Sequence, residues 1–244
     1  MIGILVQLAV SWLLAWVFYK KGLEVLGFYP TKKRLVHFIL FFIITGLCCA
    51  SGFIMKMVLT HQAWIINPAL NTSLALEGIW WNFKSVLFEE LIFRGVILYI
   101  LIRKIGSTKA IIISAIAFGI YHWFSMNAFG NITQMISLFL TTGIMGLLLA
   151  FAYAKTLSLY IPIAIHLGWN LIQNFIFSSG PTGNGLFIQE IPGPFRTDSY
   201  LVYFSILFIP MLSVFIINFF LLKKIRQVQD ISPNNIHPAP ATHE

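Results

Sequence analysis

Long apolar runs separated by short polar interruptions make up most of this chain. The runs cover 2–19, 35–59, 77–102, 110–124, 132–154, 159–177 and 200–222. Most are long enough to cross the roughly 30 Å hydrocarbon layer of a bilayer as α-helices, and the fourth is short. The pattern predicts an all-α, polytopic transmembrane helix bundle of about seven spans. An eighth crossing stays open, because the fourth run is short and the 60–76 loop has room for an interfacial helix. Residues 1–222 read as a single transmembrane domain. The tail 223–244 is polar and rich in proline, the composition of a disordered cytoplasmic segment.

Composition strengthens this picture. The 244 residues are 58% hydrophobic and only 10% charged, with a mean hydropathy of +0.84. Soluble domains average about 45–50% apolar and about 25% charged residues, so a water-soluble enzyme is excluded. The net charge of +8 sits in short Lys and Arg clusters at the ends of the runs rather than in a basic stripe, which argues against a nucleic-acid partner. The loops after runs one, three, five and seven hold five, three, one and three Lys or Arg residues, whereas those after two, four and six hold Arg196 alone. By the positive-inside rule this places the N-terminus outside and the C-terminus in the cytoplasm. Lys20 and Lys21 follow the first run instead of preceding it, so that run reads as a retained span rather than a cleaved signal. Cys48 and Cys49 are adjacent inside an apolar run, without metal-type spacing, and read as small packing residues.

Three runs carry ionisable or strongly polar groups away from their ends. The third has Glu89, Glu90 and Arg94, the fourth Phe118 and His122, and the sixth His166 and Asn170. An unpaired charge in hydrocarbon costs several kcal/mol, so each needs a partner or a protein cavity. Glu90 and Arg94 are four residues apart on one helix face and can neutralise each other, whereas Glu89 points about 100° away. One carboxylate is therefore left for chemistry. Counting ~1.5 Å per residue from the cytoplasmic ends puts Glu89 roughly 20 Å deep, His122 about 18 Å, His166 about 10 Å and Asn170 about 17 Å, depths compatible with one site. A carboxylate, two imidazoles and an amide in a water-poor cavity can take a proton from water, orient it and donate to a developing oxyanion. No Gly-x-Ser-x-Gly motif is present, and Ser114 and Ser137 read as helix-packing hydroxyls.

Glu89-Glu90-x-x-x-Arg94, Phe118-x-x-x-His122 and His166-x-x-x-Asn170, in that order on successive polar-bearing helices, resemble the three motifs of the CAAX-protease and bacteriocin-processing (CPBP, or Abi) intramembrane endopeptidases. The resemblance covers about 80–175. It implies an α-helical membrane peptidase in which Glu89 is the general base, His122 assists the attacking water, and His166 with Asn170 stabilises the oxyanion. Glu90 and Arg94 would then form a structural ion pair.

The resemblance favours a glutamate mechanism without a cofactor. The alternative is zinc held by Glu89, His122 and His166, but His-Glu-x-x-His is absent and the two histidines lie on different helices. The implied partners are a membrane-associated protein or peptide substrate and the bilayer, and the expected location is a bacterial plasma membrane. Two rivals belong to other classes. A non-catalytic scaffold or self-immunity protein would not need all four polar residues, and a proton-coupled transporter should show inverted repeats, which are not evident here.

Overall fold

The computed structural model describes residues 2–177, 185–191, 193 and 196–228. These form eight α-helices: α1 (Ile2–Tyr19), α2 (Lys32–Thr60), α3 (Thr72–Phe93), α4 (Val96–Ile105), α5 (Ser107–Ser125), α6 (Ile132–Thr156), α7 (Tyr160–Leu171) and α8 (Tyr200–Lys224). A 3-10 turn at Leu23–Leu26 and a π-helical turn at Ile172–Ile176 complete the helical content. The room for an interfacial helix before α3 holds instead a short strand, β1 (Trp64–Ile66). It pairs antiparallel with β2 (Phe187–Gln189) from the loop before α8. The basic end of the last run is helical as far as Lys224, and residues 229–244 of the expected disordered tail lie outside the described residues.

The fold is an all-α membrane bundle. Among the described residues, α1, α2, α6 and α8 are each long and apolar enough to cross a membrane unaided. The remaining helices are shorter or carry the polar residues of the motifs. α7 lies at the centre: every residue from Ile161 to Gly168 is buried, as expected of a helix apolar on all sides. One apolar cluster joins α1, α3, α4 and α7, and a second joins α2, α6, α7 and α8.

Two close crossings set the helix spacing. Gly168 of α7 lies against the Phe42 carbonyl of α2, where an added Cβ would come within 2.6 Å of that oxygen. Gly146 of α6 packs against the α5 backbone, with Ala115 Cα 3.1 Å from the same kind of added Cβ. Small residues at such points let helix backbones approach in a medium that offers no hydrophobic drive between helices. The residue capping the start of α7, Leu159, is also held inside the bundle. Leu159 N–H donates to the Leu26 carbonyl at 3.1 Å, Ser158 Oγ donates to the Gly27 carbonyl at 3.0 Å, and Tyr153 Oη donates to the Val25 carbonyl at 2.6 Å.

The third apolar run is not one continuous span. It breaks after Phe93, and α4 resumes at Val96. Gly95 takes φ −79° and ψ −145°, and an added Cβ there would collide with the Leu91 carbonyl oxygen. A break inside the membrane frees backbone groups that must find partners within the protein. Ser114 of α5 supplies one, its hydroxyl donating to the Phe93 carbonyl at 2.8 Å. Gly95→Ala should therefore lower stability by roughly 1–3 kcal/mol, the usual cost of overpacking. Thermal unfolding of the detergent-solubilised variant measures this, and an unchanged midpoint would contradict the steric account of the break.

Candidate active site

The last two turns of α3 bring Glu89 and Glu90 into the bundle against α7. Glu90 and Arg94 are both fully buried. Arg94 Nη1 donates to Glu90 Oε1 at 3.2 Å, as their spacing of four predicts. The same carboxylate oxygen has a second partner that helix geometry alone did not suggest: His166 Nδ1, at 2.7 Å. Glu90 thus ties α3 to α7 as well as pairing with Arg94. Arg94 also donates from Nη2 to the Gly146 carbonyl at 3.5 Å, and its guanidinium lies 4.0 Å above the centre of the Phe118 ring. Desolvation makes such a cation–π contact worth about 2 kcal/mol.

Glu89 stands on the other side of His166. Its Oε2 is 3.8 Å from His166 Nε2 and, although the atom is buried, has no hydrogen-bond partner among the described residues. Its Oε1 accepts a long hydrogen bond, 3.5 Å, from Ser85 Oγ one turn earlier on α3. The two adjacent carboxylates therefore differ in kind. Glu90 is held through Oε1 by both Arg94 and His166, whereas Glu89 has only the long Ser85 bond and turns its Oε2 toward an imidazole without a hydrogen bond.

His122, on α5, is oriented by its own helix. Its Nδ1 lies 2.8 Å from the Phe118 carbonyl, which can only accept, so Nδ1 carries the proton and Nε2 of the neutral ring is an acceptor. The Phe118 ring holds both imidazoles edge-on, with centroids 4.6 Å from His122 and 5.8 Å from His166. His122 is also within electrostatic reach of Glu89, His166 and Arg94. Asn170 sits one turn beyond His166 on the same face of α7 and is partly buried.

The structure thus gathers α3, α5 and α7 around Phe118, with Glu89, Glu90, Arg94, His122 and His166 in one cluster and Asn170 a turn away. The depth comparison from sequence placed His166 about 10 Å shallower than Glu89, yet the two side chains face each other. That estimate took Leu159 as a membrane-surface residue, whereas Leu159 is fully buried and hydrogen-bonded to the 3-10 turn. α7 starts inside the protein, so counting from its first residue underestimates depth. The sequence reading also passed over Asn82 and Asn174, which meet between α3 and the π turn at 3.1 Å. Their seven- and four-residue spacings from Glu89 and Asn170 were the available signal.

For a metal ion the fit is poor. Among the described residues no three His, Cys, Asp or Glu side chains are grouped so as to hold one, and Glu89, His122 and His166 are no exception. A groove of about 370 Å³ between α3 and α7 is lined by Leu76, Ile79, Trp80, Phe83, Leu167 and Leu171, beside the polar cluster.

Residues 71–172 match the protein family described as Rce1-like, type II CAAX prenyl endopeptidase. That stretch begins at Asn71, the residue capping α3, and ends with α7, so it contains all three motifs and the helices that carry them. No curated protein and no solved structure matches the chain. Over those helices, which converge on a carboxylate, two imidazoles and an amide, this integral membrane bundle is similar to the Rce1-like type II CAAX prenyl endopeptidases.

Proposed function

We propose that this CAAX-type intramembrane peptidase hydrolyses its substrate without a metal, with Glu89 as general base. The observation that carries the reading is the unequal use of the two carboxylates. Glu90 is bound by Arg94 and His166, whereas Glu89 Oε2 is buried, unpartnered and 3.8 Å from His166 Nε2. A water between Glu89 and His122 would donate one proton to Glu89 Oε2 and the other hydrogen bond to His122 Nε2, which leaves its oxygen lone pair aimed at the scissile carbonyl.

His166 then has a defined task. To donate from Nε2 while Nδ1 donates to Glu90, the ring must carry both protons. The site in that form holds Glu89 and Glu90 as anions against Arg94 and His166 as cations, and is neutral in total. When Glu89 takes the water proton, negative charge leaves its carboxylate and appears on the substrate oxyanion, still beside His166. Charge moves a short distance and the cavity never acquires a net charge, which matters where water is scarce. Asn170, one turn along, adds an amide donor to the oxyanion. After collapse of the tetrahedral intermediate, the protonated Glu89 returns its proton to the leaving amine.

The substrate in this reading is a membrane-associated protein or peptide, approached from the cytoplasmic side on which the basic loops lie. Its chemistry is tested with a library of membrane-spanning and lipid-modified peptides and purified protein, with and without a chelator. Cleavage should survive chelation undiminished. Loss on chelation with recovery on adding zinc would overturn the metal-free mechanism, and absence of cleavage throughout a library that relatives cut would favour a non-catalytic scaffold.

A further inference from the structure

The polar contacts between α3 and α7 do not end at Glu89 and His166. Asn82 is fully buried on α3, seven residues before Glu89 and so on nearly the same helix face. Its Nδ2 donates to the Gly78 carbonyl at 2.8 Å, and its Oδ1 accepts from Asn174 Nδ2 at 3.1 Å. Asn174 belongs to the π turn that directly follows α7, four residues beyond Asn170. Beside this contact the Phe175 ring fills the space over Gly78, 2.8 Å from where a Cβ would stand.

These contacts fix a register. From the Glu89–His166 contact to the Asn82–Asn174 contact is seven residues back along α3 and eight residues forward along α7. The helices run antiparallel, and seven residues of α-helix span about 10.5 Å. The eighth residue on the α7 side is absorbed by the π turn, where the Phe177 N–H reaches back five residues to the Ile172 carbonyl. Asn170, midway between His166 and Asn174, falls level with Ser85, whose hydroxyl reaches Glu89 Oε1. Were the π turn to revert to α-helix, one residue would be withdrawn and the last turn of α7, which bears Asn170, would slide along α3.

We infer that Asn82 and Asn174 are positioning residues: their hydrogen bond holds the π turn in place and thereby sets Asn170 at the level of the reacting carbonyl. This rests on the role given to Asn170 above. Neither asparagine touches substrate. A buried amide pair between membrane helices also stabilises the bundle, so the test must read something that stability does not move.

Asn82→Leu, Asn174→Leu and the double variant keep the branched four-atom side-chain skeleton while removing the bond. Per folded molecule, each should lose about tenfold to a hundredfold in kcat, the range a misplacement of about 1 Å produces, with KM nearly unchanged. The double variant should lose clearly less than the product of the two single losses, because both single variants break the Asn82–Asn174 contact. The complementary experiment restores the register covalently. In a background with Cys48 and Cys49 changed to Ala, Asn82→Cys and Asn174→Cys are bridged by a methylene-bis-methanethiosulfonate reagent, and bridging should recover most of the lost kcat. This arm also decides the matter if the leucine variants fail to accumulate. Wild-type kcat in the folded leucine variants, or equal kcat before and after bridging, overturns the inference. Asn170→Ala is measured alongside. If it loses turnover while the clamp variants do not, the clamp falls and the proposed chemistry stands; if it turns over like wild type, the oxyanion assignment falls and takes the clamp with it.

Discussion

Glu89→Gln should give a protein that folds, extracts and melts like the wild type and cuts its peptide substrate at no more than about one hundredth to one ten-thousandth of the rate, the loss associated with removing a general base. The substitution is nearly isosteric and keeps an acceptor for the Ser85 hydroxyl. What disappears is the basicity of an oxygen that no protein group engages. It also removes a negative charge facing His166 Nε2, so oxyanion stabilisation changes alongside proton transfer. Folding should be indifferent, because Glu89 is the one acidic group of the cluster that the protein does not use to hold helices together. Glu90→Gln differs in kind, since Glu90 links Arg94 and His166. A Glu89→Gln protein that cleaved at the wild-type rate would remove the general base from the mechanism.

The second large effect is on folding. Arg94→Met should cost about 3–5 kcal/mol, the usual penalty for stripping one partner from a buried ion pair. Glu90 would remain at zero exposure with the His166 imidazole as its remaining side-chain partner, and the Phe118 ring would lose the cation above it. The expected result is poor accumulation and a strongly lowered unfolding midpoint in detergent. Glu90→Gln combined with Arg94→Met removes both charges together and should recover much of that stability, because no uncompensated ion is left in the core. Activity should stay well below wild type in the double variant, since the carboxylate that orients the His166 ring is gone. Recovery of stability without recovery of turnover would separate the two jobs of Glu90. If the double variant were as unstable as Arg94→Met, the loss would reflect the packing of the arginine stem rather than charge.

How much of this was legible in the chain depends on which contacts were local. The spacing of Glu90 and Arg94 predicts their ion pair, because residues four apart on a helix are neighbours wherever the helix goes. The bond between Glu90 and His166 joins residues 76 positions apart, and only the packing of α3 on α7 creates it. Likewise the third run reads as one span because the residues flanking Glu89, Glu90 and Arg94 are apolar on both sides. Its break at Gly95 depends on Ser114 from another helix, whose hydroxyl donates to the freed Phe93 carbonyl. The misjudged depth of His166 has the same origin: a helix that begins inside the bundle is indistinguishable, by hydropathy, from one that begins at the membrane surface.

The sequence by itself determined the class of molecule and the chemistry available to it. Apolar runs of membrane length can satisfy their backbone groups only as helices, and charged or imidazole side chains within them need partners, so a helical bundle around a polar cluster follows from composition and spacing. Tertiary structure decided what else engages the two carboxylates. The i, i+4 spacing assigns Arg94 to Glu90, but nothing local brings His166 to either of them. The packing of α3 against α7 gives Glu90 Oε1 both Arg94 and His166 at hydrogen-bond distance and leaves Glu89 Oε2 3.8 Å from His166 Nε2 without a hydrogen bond, because a carboxylate's surroundings in a low-dielectric interior are set by which donors packing brings within reach.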